Sequence, residues 1–328
     1  MDTFHPMQTT LPDAPDIAPP RHDPLRIGLI GLGLMGRGMG FSLLRAGHTL
    51  GVVANRRRET ADELNAAGAW EAEDPGALAV ACDVPVLCLP AVEATEAVLF
   101  GPRGVVAGAR PGLLVIECST LLPAAGRSFA QRLAALALDF VDAPVMRGST
   151  EALAGRLNAL LSGSPAAVDR AAAVLTAFYE RRFRFGASGQ GYAAKLVNNF
   201  LAFSNLVAAT EAMHTAQAAG LDLAELLAAV QVSGGQNRVL DGLAPWLTGT
   251  GPSRSRVTVL TAHKDVAYYQ WLTRSLASAG PLAQQVEASL AQALACGLGE
   301  QLTPEYLRHV AQGSGVLAGL PPSQGCSE

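Results

Sequence analysis

The sequence predicts an α/β protein in which a Rossmann-type doubly wound sheet is followed by an all-α C-terminal domain. Short runs rich in leucine or β-branched residues, beginning with RIGLI at Arg26, alternate with alanine-rich helical stretches as far as RFRFG. This alternation is typical of a parallel sheet covered by helices on both faces. After Gly191 the pattern changes to a proline-free stretch, YAAKLVNNFLAFSNLVAATEAMHTAQAAG, with apolar residues at helical spacing. That stretch predicts one long interdomain helix.

The domain limits are predicted from these changes of pattern. Residues 1–24 are rich in proline and polar side chains and predict a flexible N-terminal tail. We expect the sheet domain over 25–187, a helical domain for substrate binding and oligomerisation over 188–315, and a flexible C-terminal tail over 316–328. Breaks that contain glycine or proline separate the further helical segments, at roughly 222–232, 257–279, 281–297 and 303–312.

The composition limits the possible partners. The chain has 328 residues, of which 49% are hydrophobic and 16% charged, so it contains enough apolar residues for one large core or two smaller ones. A formal net charge of -4 argues against a nucleic-acid-binding surface. No apolar run is long enough to predict a membrane span, and the N-terminus lacks the features of a secretory signal, so we expect a cytoplasmic protein. The five cysteines show no C-x-x-C spacing, and we expect no metal site.

A G-x-G-x-x-G motif lies directly after the first predicted strand and at the start of a predicted helix. Gly31 permits the tight turn, Gly33 lets the backbone approach a pyrophosphate, and Gly36 lets the helix pack on the strand. The helix N-terminus then faces the anion with free N–H groups and a favourable dipole. This context favours a dinucleotide site over a merely structural glycine turn. The predicted cofactor contacts of the turn are Gly31, Leu32, Gly33, Leu34, Met35 and Gly36.

The end of the second predicted strand, VVANRRRET, distinguishes the two nicotinamide cofactors. An acidic residue there would bind the ribose 2′-hydroxyl of NAD, but the chain has Asn55 followed by Arg56 and Arg57. Guanidinium groups pair well with the 2′-phosphate of NADP. The arginines could instead simply be solvated at the start of a helix, although cations there oppose the helix dipole. We therefore expect these three residues to bind NADP, with NAD as the less favoured cofactor.

The long predicted helix begins with GQGYAAKLVNN, which carries Lys195 and Asn199. The two residues are one helical turn apart, so their side chains share a face. A lysine on an otherwise apolar helix is costly to bury unless it has partners, and long lysines are usually found with the ammonium group at a surface. The helix alone therefore leaves both a functional and a purely structural role open for Lys195.

Five motifs resemble those of a known family, in the same order along the chain. They are GLIGLGLMG, ECST, DAPVMRG with AGRL, GQGYAAKLVNN and HKD. Together they are similar to the motifs of the β-hydroxyacid dehydrogenases, the group that contains 3-hydroxyisobutyrate dehydrogenase and tartronate semialdehyde reductase. The resemblance runs from about residue 26 to about residue 312. It implies that Lys195 is the general acid or base, and that Asn199 and Ser119 contact the substrate.

The same resemblance extends the predicted cofactor site beyond the glycine-rich turn. It implies that Thr120 contacts the cofactor and that Lys264 of HKD reaches towards the nicotinamide half. Leu89 and Pro90, at the end of the predicted VPVLCLP strand, complete the expected cofactor contacts. The cofactor site is thus expected to draw residues from several strand ends and from the helical domain.

Two motifs depart from the family pattern. The family usually has D-x-S-T where this chain has Glu117 before C-S-T, which changes the geometry at the strand end. The usual DAPVSGG has become DAPVMRG, so Met146 and Arg147 replace a serine and a glycine, while Gly148 is kept as a predicted substrate contact. We expect Arg147 to bind the substrate's anionic group, as an arginine at this place of the motif in sulfolactaldehyde reductases suggests. The alternative is an internal ion pair, for which Glu151 is the nearest acid in sequence.

The predicted function is an NADP(H)-dependent oxidoreductase that transfers hydride between nicotinamide and a small 3-hydroxy acid or acid semialdehyde, with a carboxylate or sulfonate group. Two alternatives stay open: an imine reductase of the same architecture, and a non-catalytic NADP-binding sensor. Lys195 argues against the imine reductase, because those proteins typically lack the catalytic lysine. The expected partners are a small anionic substrate and further copies of the chain in a homodimer or homotetramer.

Overall fold

The structure, a computed structural model, describes residues 24–55, 58–278 and 280–306. Within these residues it confirms the predicted fold class, because a sheet covered by helices is followed by a region of helices alone. Apart from Pro24, the two predicted tails lie outside the described residues, as do Arg56, Arg57 and the end of the last predicted helical segment.

Six parallel strands form the main part of the sheet, in the order β3-β2-β1-β4-β5-β6. β8 then pairs antiparallel with β6 and β7, and β9 pairs parallel with β8. The strand order reverses between β1 and β4, and ligands of doubly wound sheets bind at the C-terminal ends of strands beside such a reversal. The strands are β1 Arg26–Ile30, β2 Thr49–Val53, β3 Trp70–Glu71, β4 Val84–Leu87, β5 Leu114–Glu117, β6 Asp139–Asp142, β7 Val145–Met146, β8 Leu157–Gly163 and β9 Tyr179–Arg184.

Each face of the sheet buries an apolar core. Ile27 and Leu29 of β1 pack into one core, while Ile30 packs into the other, together with Phe129 of the helix that follows β5. Both faces are covered by helices, which explains why the strands read as apolar runs rather than as an alternating pattern. The helices around the sheet are α1 Leu34–Arg45, α2 Arg58–Ala66, α3 Pro75–Ala81, α4 Val92–Phe100, α5 Val105–Gly108, α6 Pro123–Ala134, α7 Ser149–Leu153 and α8 Pro165–Leu175.

The long helix predicted from the sequence is present as α9, Gln190–Ala218, with 29 residues. Its start is fixed against the sheet, because the Gly189 N–H donates to the two oxygens of Asp142 at 3.3 and 3.2 Å. Gly189 has a left-handed φ of 93°, which glycine adopts without strain. Gly191 allows a close approach to β8, since a Cβ there would lie 2.5 Å from the carbonyl oxygen of Leu160.

The described residues after α9 form helices joined by loops, and they have their own core. Phe203 and Met213 of α9 pack in it with residues from the later helices, among them Trp246, Val266 and Leu290. Since Tyr192 lies in one of the sheet cores, α9 contributes side chains to both parts of the molecule. No helix in the described part of the chain is both long and apolar enough to cross a membrane. The helices after α9 are α10 Leu223–Gln231, α11 Arg238–Leu247, α12 Val259–Ser275 and α13 Pro281–Ala295.

The helix α11 is not among the predicted segments. The stretch contains Pro245 and lies between two breaks rich in glycine, serine and threonine, a composition that indicates loops. It forms a helix because Asn237 caps its N-terminus, with its side-chain oxygen accepting from the N–H groups of Val239 and Leu240. Burial of Leu243 and Trp246 then stabilises it against the cost of an internal proline.

Candidate active site

The glycine-rich turn connects β1 to α1 and leaves room for a phosphate group. Gly31 has φ +105°, and a Cβ on it would lie 2.1 Å from the carbonyl oxygen of Cys88. A Cβ on Gly36 would lie 1.9 Å from the carbonyl oxygen of Gly31, so both positions require glycine. At Gly33 a Cβ would meet nothing within 4 Å. This open position at the start of α1, with free helix N–H groups, fits a pyrophosphate.

The remaining residues of the turn differ in exposure. Leu32 is buried, while Leu34, the first residue of α1, has 55% of its side chain exposed. Met35 is half-buried and packs against the core on this face of the sheet. The turn therefore combines an apolar anchor with an accessible helix start, as a site for a bound dinucleotide requires.

The end of β2 is described as far as Asn55, beyond which Arg56 and Arg57 lie outside the described residues. Arg58, the next arginine, is held by internal acids: its guanidinium lies 2.6 Å from Glu71 and 2.9 Å from Asp62. These ion pairs hold Arg58 against α2 and β3.

The ends of β4 and β5 are tied together by Ser119. The backbone N–H of Leu89 donates to Ser119 Oγ at 2.6 Å, and Ser119 Oγ in turn donates to Glu117. The hydroxyl proton of Ser119 is therefore used inside the protein, and its side chain is only 3% exposed. The substrate contact at Ser119 stays a prediction; in this structure the longer side chain of glutamate at position 117 turns back and accepts the hydroxyl proton. Leu89 also lines the glycine-rich turn, and Pro90 beside it is exposed.

Glu117 is fully buried at the end of β5. The backbone N–H of Ser119 lies 3.1 and 3.2 Å from its two oxygens, and Tyr192 of α9 donates its hydroxyl at 2.7 Å. Burial raises the pKa of Glu117 to about 7 against the opposing effect of these hydrogen bonds, and neighbouring Asp142 raises it further. In the sequence this residue stands out only as a departure from the family's D-x-S-T motif.

Lys195 lies on α9 with only 9% of its surface exposed. Burial lowers the pKa of its amine to about 8; nearby Asp265 acts in the opposite direction, and the positive charge of Lys264 lowers it further. Within the described residues no hydrogen bond or ion pair engages Lys195 Nζ. The amine is thus free to act on a bound molecule, and it titrates within the range where an enzyme can use both of its forms.

Asn199, one turn after Lys195, is joined to α12. Its Nδ2 donates to Asp265 Oδ2 at 2.6 Å, and the other oxygen of Asp265 lies 3.0 Å from Lys264 Nζ, off hydrogen-bond geometry. Lys264 Nζ also donates to the backbone carbonyl of Thr120 at 3.2 Å. The structure therefore brings the predicted residues Asn199, Lys264 and Thr120 together through Asp265, a buried acid that the sequence analysis did not select. In the sequence, Asp265 could have been selected as the third residue of the HKD motif.

Arg147 has an internal partner in this structure. Its Nη1 donates to the carbonyl oxygen of Arg156 at 2.6 Å and forms an ion pair with Glu180 of β9. Glu151, the acid suggested by the sequence, instead accepts from the N–H of Gly148 at 3.1 Å and caps α7. The alternative partner was therefore wrong, because β8 brings β9 beside the end of β7. A substrate anion at Arg147 would compete with Glu180 for the guanidinium group.

Comparison with known proteins covers both halves of the chain. Residues 26–186 match the family described as the NAD binding domain of 6-phosphogluconate dehydrogenase. Residues 189–310 match the family described as NAD-binding of NADP-dependent 3-hydroxyisobutyrate dehydrogenase. The two matches meet at the start of α9, where the sheet ends and the helical region begins.

Individual relatives agree with these matches. L-threonate dehydrogenase from Cupriavidus necator is 36% identical over 220 residues, which are 67% of this chain and 74% of that protein. NAD-dependent L-serine dehydrogenase from Pseudomonas aeruginosa is 34% identical over 221 residues, again 67% of this chain and 74% of that protein. The crystal structure of 3-hydroxyisobutyrate dehydrogenase from Salmonella typhimurium superposes with a TM-score of 0.77 and 28% identity, covering 87% of this chain and 99% of that one. The chain thus belongs to the β-hydroxyacid dehydrogenase family and is an NAD(P)-dependent dehydrogenase of small hydroxy acids.

Proposed function

We propose that the protein transfers hydride between NADP(H) and a small 3-hydroxy acid or its acid semialdehyde, with Lys195 as the general acid or base. The observation that carries the proposal is the buried, unpartnered amine of Lys195, close enough to Asp265 and Lys264 for their charges to shift its pKa. Burying an amine without a partner costs folding free energy, and titratable groups perturbed in this way concentrate at active sites.

The chemistry divides between the cofactor and the side chains. A bound nicotinamide supplies or accepts the hydride. In the reducing direction, protonated Lys195 donates a hydrogen bond to the substrate's carbonyl oxygen and transfers its proton as negative charge develops there. In the oxidising direction, neutral Lys195 accepts the proton of the substrate's hydroxyl group. Because the pKa of Lys195 is about 8, both forms are populated near neutral pH.

Asp265 orients the amide group of Asn199 and also acts on Lys195. Asn199 Nδ2 carries two protons, and it donates one of them to Asp265 at 2.6 Å. The second proton remains for the substrate, in an orientation that the buried carboxylate fixes. The negative charge of Asp265 also favours the protonated form of Lys195, which the reducing direction requires.

The cofactor is proposed to be NADP. The segment after β2, Ala54 and Asn55, offers no acid to a ribose 2′-hydroxyl, and the arginines Arg56 and Arg57 follow it. Relatives provide support for either cofactor, since one is named as NAD-dependent and one matched family is described as NADP-dependent. Changing Arg56 and Arg57 to glutamine should raise the KM for NADPH much more than the KM for NADH. An unchanged ratio of the two constants would contradict the proposal.

The substrate is proposed to be a short hydroxy acid whose anionic end lies near Arg147 and Gly148. Arginine can bind carboxylate or sulfonate oxygens at two points. The relatives named above provide support for small hydroxy acids in general, because they are named for threonate, serine and 3-hydroxyisobutyrate. The carboxylate and sulfonate classes therefore need to be compared directly.

The test is a screen of the purified chain with NADPH and NADH, followed by absorbance of the reduced cofactor. Short semialdehydes with a carboxylate or a sulfonate are offered beside cyclic imines of similar size. We expect turnover of at least one semialdehyde and loss of that turnover in Lys195→Ala. Reduction of imines alone would favour an imine reductase, and NADPH binding without any turnover would favour a sensor.

We also propose that the protein forms a homodimer or homotetramer. Large apolar side chains are exposed on the helical region, among them Leu201 of α9 at 58% and Trp271 of α12 at 62%. Burial of such side chains between copies of the chain would stabilise an oligomer. Light scattering coupled to size-exclusion chromatography measures the mass directly, and a monomer at all concentrations would contradict this proposal.

A further inference from the structure

A buried carboxyl group, that of Glu117, links the turn after β5 to α9 through hydrogen bonds. Glu117 is fully buried, and within the described residues the hydrogen bonds to its side chain come from Ser119 and Tyr192, which are both neutral donors. A buried acid without a cation is costly, and a purely structural role could be filled by an apolar residue at lower cost.

We propose that Glu117 is a positioning residue, whose carboxyl group holds the Ser119–Thr120 turn against the helix of Lys195 and whose protonation sets the direction of the Ser119 hydroxyl. This inference rests on the proposed function, because it assigns to Glu117 a part in preparing that same site. Glu117 acts through Ser119 and Tyr192 and touches neither the substrate nor the cofactor.

The first step of the argument concerns the turn after β5. Both oxygens of Glu117 accept from the backbone N–H of Ser119, and one also accepts from its hydroxyl. Ser119 Oγ accepts from the N–H of Leu89, so the same carboxyl group also fixes the end of β4. The next residue, Thr120, accepts from Lys264. Two predicted cofactor contacts, Leu89 and Thr120, therefore depend on the position of Ser119.

The second step concerns α9. Tyr192 is fully buried, its hydroxyl lies 2.7 Å from Glu117, and it precedes Lys195 by about one helical turn. The ring packs directly on α6, where a Cβ at Gly126 would lie 2.4 Å from Tyr192 Cε2. The glycine thus makes the space that the ring needs to reach Glu117. This contact sets the position of the helix turn from which Lys195 projects.

The third step concerns the proton. Ionised Glu117 can only accept, so the Ser119 hydroxyl must donate to it, as the structure shows. Protonated Glu117 can donate to Ser119 Oγ, which has one lone pair left beside the N–H of Leu89. The hydroxyl proton of Ser119 is then released to turn towards the cofactor and substrate side. The direction of one hydrogen bond thus depends on one buried proton.

The surroundings of Glu117 allow this change near neutral pH. Burial and the negative charge of Asp142 on the neighbouring strand raise the pKa of Glu117 to about 7. The other titratable groups that face it are neutral in this range: Tyr192 on α9, Tyr179 on β9, and the thiols of Cys88 and Cys118, each with a pKa raised by burial.

The experiment compares the wild type with Glu117→Gln and Tyr192→Phe. For each, kcat and KM of the reducing reaction and the Kd of NADPH, from its fluorescence, are measured between about pH 5.5 and pH 9. In the wild type we expect a step in KM and in the Kd of NADPH near pH 7. Glu117→Gln should remove this step. At pH values above the step it should weaken NADPH binding about tenfold, the usual effect of losing a hydrogen bond to a charged group. The part of the pH dependence of kcat that arises from titration of Lys195 should remain.

Tyr192→Phe keeps the ring that packs on Gly126 and removes one donor to the ionised carboxyl group. It should therefore move the step to higher pH and leave its size unchanged, a result that a merely structural role would not produce. Asp142→Asn is the matched control, because it removes a buried acid, whose own pKa burial raises to about 6, and this acid does not contact Ser119. The step should remain but move to lower pH, since the charge of Asp142 raises the pKa of Glu117. A Glu117→Gln protein with the wild-type pH dependence of both KM and Kd would overturn the proposal. If the wild type turns over no semialdehyde, the Kd profile still decides the role of Glu117 separately from the proposed reaction.

Discussion

The region around Lys195 on α9 and the region around Lys264 on α12 contribute two lysines to the same site, but the two side chains are held in different ways. Lys195 is buried and has no partner among the described residues, and burial lowers its pKa to about 8. Lys264 lies beside the carboxylate of Asp265 at 3.0 Å and donates to the backbone carbonyl of Thr120. A free amine near its pKa can exchange a proton, whereas a paired ammonium group supplies a fixed charge and a fixed contact.

The charges on α12 also affect the pKa of Lys195. The charge of Lys264 lowers the pKa of Lys195 and that of Asp265 raises it, so the pair on α12 adjusts the proton affinity of the amine on α9. The same pair holds Asn199 from one side and Thr120 from the other. Charges on α12 therefore adjust the pKa of a lysine on α9.

The largest expected effect comes from removing the unpaired lysine. Lys195→Ala should lower kcat by roughly 10²–10⁴-fold, the typical contribution of a general acid or base, while the Kd of NADPH stays within a few-fold of the wild type. Lys264→Ala is the matched comparison and should mainly weaken cofactor binding. Steady-state kinetics and cofactor fluorescence separate the two effects. More than half of the wild-type rate in Lys195→Ala would remove this lysine from the mechanism.

A second prediction concerns the effect of the buried acid Glu117 on the pH dependence of stability. The pKa of Glu117 is raised from 4.5 to about 7, so between these values the folded protein binds more protons than the unfolded chain, and stability falls as pH rises. The loss should amount to about 3 kcal/mol across this window and should stop above pH 7. Glu117→Gln should remove this part of the pH dependence, as chemical denaturation at several pH values would measure. Parallel stability curves for the two proteins would contradict the raised pKa.

The third prediction separates the two charges on α12. If Lys195 is the general acid or base, as proposed, reduction requires its protonated form and oxidation its neutral form. Reduction should then decline and oxidation should rise as pH increases through about 8. Asp265→Asn removes a charge that raises this pKa, so the transition should move to lower pH. Lys264→Ala removes a charge that lowers it, and the transition should move to higher pH. Shifts of about one pH unit are expected for charges at a partly buried site, and shifts in the same direction would refute this account.

Much of the fold could be predicted because its signals are local. Apolar runs separated by alanine-rich stretches predict the covered sheet, and the spacing of apolar residues predicts α9. α11 could not be predicted in the same way, since Pro245 and the breaks on both sides indicate a loop. Its formation depends on burial of residues such as Trp246 against other helices, which only the tertiary structure shows.

In the candidate site, too, local features could be predicted from the sequence and tertiary contacts could not. The glycine-rich turn and the spacing of Lys195 and Asn199 are local patterns with direct physical reasons. The hydrogen bonds of the buried Glu117 depend on Tyr192, which is 75 residues away in the sequence, and on how a longer acid folds back at the end of a strand. The partner of Arg147 lies 33 residues away on another strand. Such pairings depend on strand order, so nearness in sequence suggested Glu151 instead.

The smallest expected effect concerns Arg147, which the sequence assigns to the substrate and the structure pairs with Glu180. The side chains of this ion pair are 30% and 40% exposed, so breaking it should cost at most about 1 kcal/mol of stability. If Arg147 also binds the substrate anion, Glu180 competes with that anion. The binding free energy gained from Arg147 is then smaller than for a buried ion pair without a competitor. Arg147→Ala should then raise the KM for substrate about fivefold, near 1 kcal/mol, and Glu180→Gln should lower it by freeing the guanidinium. The two substitutions thus act in opposite directions on KM, although both weaken the same ion pair. Equal losses of thermal stability with KM unchanged in both variants would show that the arginine only joins β9 to the end of β7.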